Sequence, residues 1–186
     1  MRRSFVILHG LGGSGTAHWQ TWLYKQLVNK GETVYYPSFP EKQHPNKEKW
    51  LQILKALMDE IPKDEEIIVV THSLGCILWF HYAVLTNRKV SRVILVAPPS
   101  PYSKVEEIQS FYPVPDNLSD VCLVAKKTQL IVSTNDPYCP IEDAKKYLDC
   151  GAISTVLKNK GHINIESGFG PWQWILDQCL NDPVAQ

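Results

Sequence analysis

The sequence has no excess of charge: nineteen Lys and Arg stand against nineteen Asp and Glu, for a formal net charge of zero. Nucleic acid and anionic membranes both select basic surfaces, so neither is expected as a partner. There is no C-x-x-C pair, and the five cysteines (Cys76, Cys122, Cys139, Cys150, Cys179) are scattered and odd in number. That pattern argues against a zinc site or a disulfide frame and predicts reduced thiols in a reducing compartment. His9, His18, His44 and His81 lack the spacing of zinc or iron ligands, so no metal and no other cofactor is expected. No apolar run approaches the ~20 residues that span a bilayer. The first one, Phe5-Val6-Ile7-Leu8, is too short for a secretory leader and ends at His9-Gly10, so it reads as a strand. A cytoplasmic location is the resulting expectation. No repeat, low-complexity stretch or linker divides the 186 residues, which predicts one domain over residues 1–186 with a single sizeable core.

What the chain does have is alternation. Short β-rich apolar runs at Phe5–His9, Thr33–Tyr36, Ile67–Thr71, Val93–Ala97, Gln129–Ser133 and Ser154–Leu157 read as strands. Between them, apolar residues recur at helical spacing: Trp19, Trp22, Leu23 and Leu27 before Gly31, then Trp50, Leu54, Leu57, Met58 and Ile61 before Pro62. Trp172, Ile175, Leu176, Cys179 and Leu180 form a last amphipathic pattern, while Cys76 to Phe80 is apolar nearly all round and predicts the most buried helix. Strand–helix alternation of this kind predicts an α/β fold, a mostly parallel sheet of about six strands with helices on both faces. From Pro98 to Lys127 the chain carries Pro98, Pro99, Pro101, Pro113 and Pro115 among Tyr102, Phe111 and Tyr112. This segment reads equally as a short cover over a pocket or as a proline-stiffened crossover.

The chemistry is carried at four strand ends. Thr71-His72-Ser73-Leu74-Gly75 lies between an apolar strand and an apolar helix, the context of a nucleophile elbow, although G-x-S-x-G has glycine where Thr71 stands. Serine needs a base to take its proton, and the base needs a third group to fix its tautomer. Asp136, in Thr134-Asn135-Asp136-Pro137-Tyr138, and His162, in Asn159-Lys160-Gly161-His162, follow in the chain order Ser, Asp, His. The glycine-rich His9-Gly10-Leu11-Gly12-Gly13-Ser14-Gly15 after the first strand allows close backbone approach to a ligand. The backbone N–H groups of Leu11 and Leu74 are the expected oxyanion donors, and His9, Gly10, Phe111, Tyr112 and Tyr138 the expected pocket. Singly, each piece has a plainer explanation: a helix cap at Ser73, turn chemistry at Asp136, a surface loop at His162. Gly10-x-Gly12-x-x-Gly15 with Glu32 is also a weak dinucleotide match. The conjunction, in order and at strand ends, favours a serine nucleophile.

With these residues the chain resembles small serine hydrolases of the family typified by retinoblastoma-binding protein nine and bacterial YdeN. The likeness runs over nearly the whole length: His9-Gly10 with Ser14, His18-Trp19-x-x-Trp22, the His72-Ser73-Leu74-Gly75 elbow, Asn135-Asp136-Pro137-Tyr138, Gly161-His162-Ile163-Asn164, then Gly168-Phe169-Gly170 and Trp172. The resemblance implies a compact α/β-hydrolase lacking the two leading antiparallel strands and a large lid, with a triad of Ser73, Asp136 and His162. Retinoblastoma binding is not implied, because both echoes of L-x-C-x-E, at Leu148 to Ala152 and Leu74 to Leu78, lack the acid. The expected activity is hydrolysis of a small acyl ester, thioester or amide, with a small-molecule substrate as partner and no protein partner indicated. The alternative is a hydrolase-like binding or scaffold protein with little turnover, for which Thr71 in the elbow is the physical foothold.

Overall fold

The computed structural model describes residues 2–181, apart from the side chains of Asp120, Asp149 and Cys150. Side-chain alternation accounts for its sheet. In β1 (Arg3–Leu8), β3 (Glu66–His72), β4 (Val90–Val96) and β5 (Ala125–Ser133), successive residues face opposite sides. Val6, Leu8, Val69 and Leu95 join one core, while Phe5, Ile7, Val70 and Ile94 join the other. Strands covered on both faces need apolar residues at every position, which is why these runs are continuous. β2 (Thr33–Tyr35) and β6 (Ile153–Leu157) lie at the edges and are shorter and more exposed.

Every neighbouring pair is parallel, in the order β2-β1-β3-β4-β5-β6. After β1 the chain steps outward to β2 and then back across to β3. The crevice between the C-terminal ends of β1 and β3 is therefore a topological switch point, where open parallel sheets bind ligands. α1 (Trp19–Asn29) and α6 (Gln173–Leu180) cover one face, and α2 (Lys47–Glu60) and α3 (Leu74–Ala83) the other. Asn46 caps α2 by accepting the Lys49 N–H at 3.1 Å. α3 buries nearly its whole circumference, as its unbroken apolar sequence predicts.

The segment 98–127 is neither a plain cover nor a plain crossover. Pro99, Ser103, Val105 and Ile108 form a wall of a cavity, whereas the 3-10 helix Glu106–Phe111 and α4 (Leu118–Leu123) press Phe111, Leu118 and Val121 into the core. These turns, and α5 (Ile141–Ala144) with the 3-10 helix Lys145–Cys150, are too short to show a helical period in sequence. The expectation of reduced thiols throughout is corrected at Cys122, which is disulfide-bonded. Nothing in the sequence spacing of the cysteines signals it. Cys76, Cys139 and Cys179 are free and buried, and the Cys150 side chain lies outside the described set. The cysteine pattern therefore no longer argues for a reducing compartment. Among the described residues, no helix is long and apolar enough to cross a membrane.

Candidate active site

β3 delivers Ser73 to the switch point, in the turn immediately before α3. Ser73 has φ 52° and ψ −123°, a left-handed torsion that costs a non-glycine residue strain and holds its hydroxyl out from the turn. Two glycines permit this. A Cβ on Gly75 would lie 2.5 Å from the Leu8 carbonyl oxygen, and one on Gly10 would lie 2.9 Å from the Ser73 Cβ. The end of β1 and the start of α3 thus interlock without side chains. Thr71 does not spread the elbow: it is fully buried, its Oγ1 lies 3.0 Å from Cys76 Sγ, and it donates to the Ile94 carbonyl at 3.3 Å. Burial pushes the Cys76 thiol up to about 12, so it remains protonated behind the serine.

The loop after β6 brings His162 to the same place. His162 Nε2 lies 2.8 Å from Ser73 Oγ, and its Nδ1 lies 2.9 and 3.0 Å from the two Asp136 oxygens. A carboxylate at Nδ1 keeps the proton of a neutral ring there, leaving Nε2 as the acceptor for the serine hydroxyl. Asp136, in the turn after β5, also accepts the Tyr138 N–H at 2.9 Å. The β6 loop is tied to the β5 loop by Lys160 N–H to Ser133 Oγ and Gly161 N–H to Asn135 Oδ1, each 2.8 Å. From below, His72 Nε2–H donates to the His162 carbonyl at 3.0 Å and Trp19 Nε1–H to the Ile163 carbonyl at 2.8 Å. Burial, then the neighbouring His162 and His18, hold His72 well below its ordinary value, so it is a neutral donor.

A cavity of about 300 Å³ opens over these groups. Ser73, His162, Leu11 and Leu74 line it together, and the Leu74 N–H, in the first turn of α3, has no intrahelical acceptor. Val105, Ile108 and Ile165 make the walls apolar, Tyr138 sets its ring edge against His162 at 4.6 Å, and among the described residues Glu166 is the one charged side chain in the lining. Of the residues expected at a pocket, Gly10 and Tyr138 line this cavity, while His9, Phe111 and Tyr112 do not. His9 spends both ring nitrogens on backbone, donating to Gly10 O at 2.8 Å and accepting from Phe39 N–H at 3.1 Å, and packs against Phe39 and Trp50. Phe111 is fully buried against Trp50, and the Tyr112 hydroxyl donates to the Ser100 carbonyl at 2.8 Å. Glu32 is paired with Arg3, so the dinucleotide reading loses its free carboxylate. His18 and Pro99 line the cavity without having been marked as pocket residues in the sequence. Among the described residues, no three His, Cys, Asp or Glu side chains group as metal ligands would.

The Serine hydrolase family model matches residues 5–180. The chain belongs to the serine hydrolase family. This serine hydrolase is 26% identical over 178 residues to YdeN of Bacillus subtilis (strain 168), covering 91% of the present chain and 90% of YdeN. The crystal structure of the ydeN gene product superimposes with a TM-score of 0.81 at 23% identity, covering 97% of each chain. A YdeN-like hydrolase from Pectobacterium atrosepticum gives 0.75 at 21% identity, covering 95% of this chain and 88% of that one. The structural likenesses establish the fold, a compact α/β-hydrolase of YdeN type.

Proposed function

We propose that this serine hydrolase cleaves a small ester, thioester or amide through an acyl-enzyme on Ser73. The observation that carries the reading is the continuous set of contacts from Asp136 through both His162 nitrogens to Ser73 Oγ, at the wall of a cavity. His162 Nε2 takes the hydroxyl proton as Oγ bonds to the carbonyl carbon. The resulting oxyanion is received by the backbone N–H groups of Leu11 and Leu74, a role worth roughly 3–4 kcal/mol for one donor. Asp136 stabilises the imidazolium. As the tetrahedral species collapses, the bond to the leaving group breaks and His162 gives that group its proton. Water then repeats the sequence: His162 takes a proton from it, hydroxide attacks the acyl carbon, and the proton returns to Ser73 Oγ as the acid leaves. The substrate proposed is a small acyl compound without an anionic group, because the lining offers Glu166 and no lysine or arginine.

Fluorophosphonate labelling of wild type and Ser73→Ala, with mass spectrometry of the adduct, tests this. An adduct on Ser73, lost in the variant, is the expected result. A folded wild type that stays unlabelled would overturn the proposal and favour a binding role for the cavity.

A further inference from the structure

His18 meets the cavity with a hydrogen-bond donor that the fold does not use. Its Nδ1 accepts the Gln20 backbone N–H at 3.1 Å, capping α1. An amide N–H can only donate, so Nδ1 carries no proton, and a neutral ring must carry its proton on Nε2. The ring is neutral: burial, then the charges of His162 and His9, lower His18 to about 4. Only 5% of the residue is exposed, and that exposure faces the cavity it shares with Ser73. Among the described residues, Gln129 Oε1 is the only buried side-chain polar atom without a partner, and no protein acceptor meets His18 Nε2. Nε2–H is therefore not sealed inside the protein; it opens into the cavity. The His72 ring lies 5.0 Å from the His18 ring, and its own N–H is committed to the His162 carbonyl.

We infer that His18 is a substrate-binding residue, its Nε2–H donating a hydrogen bond to an uncharged oxygen that the substrate carries close to its scissile carbonyl. The inference rests on the hydrolase reading above. It narrows the substrate to acyl compounds bearing an ether, hydroxyl or carbonyl oxygen in the acyl part or the leaving group. Such an acceptor completes a donor that is desolvated when an apolar group fills the cavity, so the donor discriminates against the plain hydrocarbon analogue. A carboxylate is the wrong acceptor, because it would face Glu166 with no cation in the lining to offset it.

The test separates the cap from the donor. Asparagine is a good N-cap but cannot carry an N–H as far as the imidazole Nε2. Wild type and His18→Asn are compared on two matched pairs: p-nitrophenyl methoxyacetate against butyrate, and 2-methoxyethyl butyrate against butyl butyrate. Ratios of kcat/KM within a pair cancel intrinsic reactivity when compared between proteins. The ratio favouring the ether should fall about five- to tenfold in His18→Asn for at least one pair. Unchanged ratios for both pairs in an active protein would remove His18 from substrate binding. Long-range proton–nitrogen NMR of the imidazoles gives an independent reading: a neutral Nε2–H tautomer is expected for His18, and an Nδ1–H tautomer would overturn the assignment. Failure of the hydrolase reading looks different. No ester is turned over by wild type and Ser73 stays unlabelled, and the substrate role of His18 falls with it.

Discussion

At the elbow, Gly75 stands where any Cβ would come within 2.5 Å of the Leu8 carbonyl oxygen, and Gly10 packs the same way against Ser73. In the loop after β6, the backbone of Lys160, Gly161, His162 and Ile163 is instead bonded to Ser133, Asn135, His72, Ser167 and Trp19. The serine is placed by repulsion between backbones, the histidine by directional bonds from its neighbours. Steric placement is abrupt, because one added carbon has nowhere to go. Bonded placement is graded, because each hydrogen bond contributes about 1 kcal/mol and the others persist when one is lost.

The largest expected effect breaks the histidine side without moving it. Asp136→Asn should lower kcat by about 10⁴, the loss this change brings in other triads, because the wrong imidazole tautomer then faces Ser73. The loop itself should stay in place, since its anchors run through Ser133 and Asn135. A steady-state assay retaining more than a tenth of wild-type turnover would take Asp136 out of the mechanism. Next, Gly75→Ala should cost about 1–3 kcal/mol of stability through overpacking and abolish Ser73 labelling as the elbow opens. Gly15→Ala is its control: a Cβ there meets nothing within 4 Å, and the unfolding free energy from urea titration should change by less than about 0.5 kcal/mol.

Acid should loosen the bonded side while leaving the steric contacts untouched. His18, His72 and His9 are all lowered, primarily by burial, and His18 reaches about 4. Between that value and about 6.5 the unfolded chain binds protons that the folded protein refuses. Their contribution is therefore complete above about pH 7 and is lost on acidification, by up to about 1.4 kcal/mol per pH unit for each group. Urea midpoints at pH 7, 6 and 5 should fall in that order; a rise would mean these rings are not held neutral. A smaller loss of activity is expected of Trp19→Phe, which keeps an aromatic ring but removes the donor to Ile163. It should lower stability by about 1 kcal/mol and kcat severalfold, read from denaturation and initial rates. Unchanged kcat would show that His72 and Ser167 suffice to hold the loop.

The six strands were legible because β-branched residues buried on two faces leave unbroken apolar runs. Ser73, Asp136 and His162 were legible as candidates because strand ends of a parallel sheet converge, so chain order alone brought them to one edge. What was not legible depends on which way a side chain turns. His9 sits two residues before Leu11 in the same glycine-rich loop, yet its ring points back to Phe39 and Trp50. Phe111 and Tyr112 belong to the aromatic segment at the cavity, but Val105 and Ile108 are the side chains that reach it. Cys122 is disulfide-bonded, and nothing in the spacing of five scattered cysteines points to it. Thr71 looked like a fault in the elbow, and only the positions of Cys76 and Ile94 show that its hydroxyl has partners.

β6 carries one further consequence. Among the described residues it pairs with β5 alone, and it exposes Ile153, Ser154 and Val156. Edge segments open at lower free energy than whole domains unfold. If β6 opens while the rest stays folded, the His162 loop hangs on its bonds to Ser133, Asn135, His72 and Trp19 alone. The grip on the proposed base is then set partly at the margin of the sheet, three strands away from Ser73.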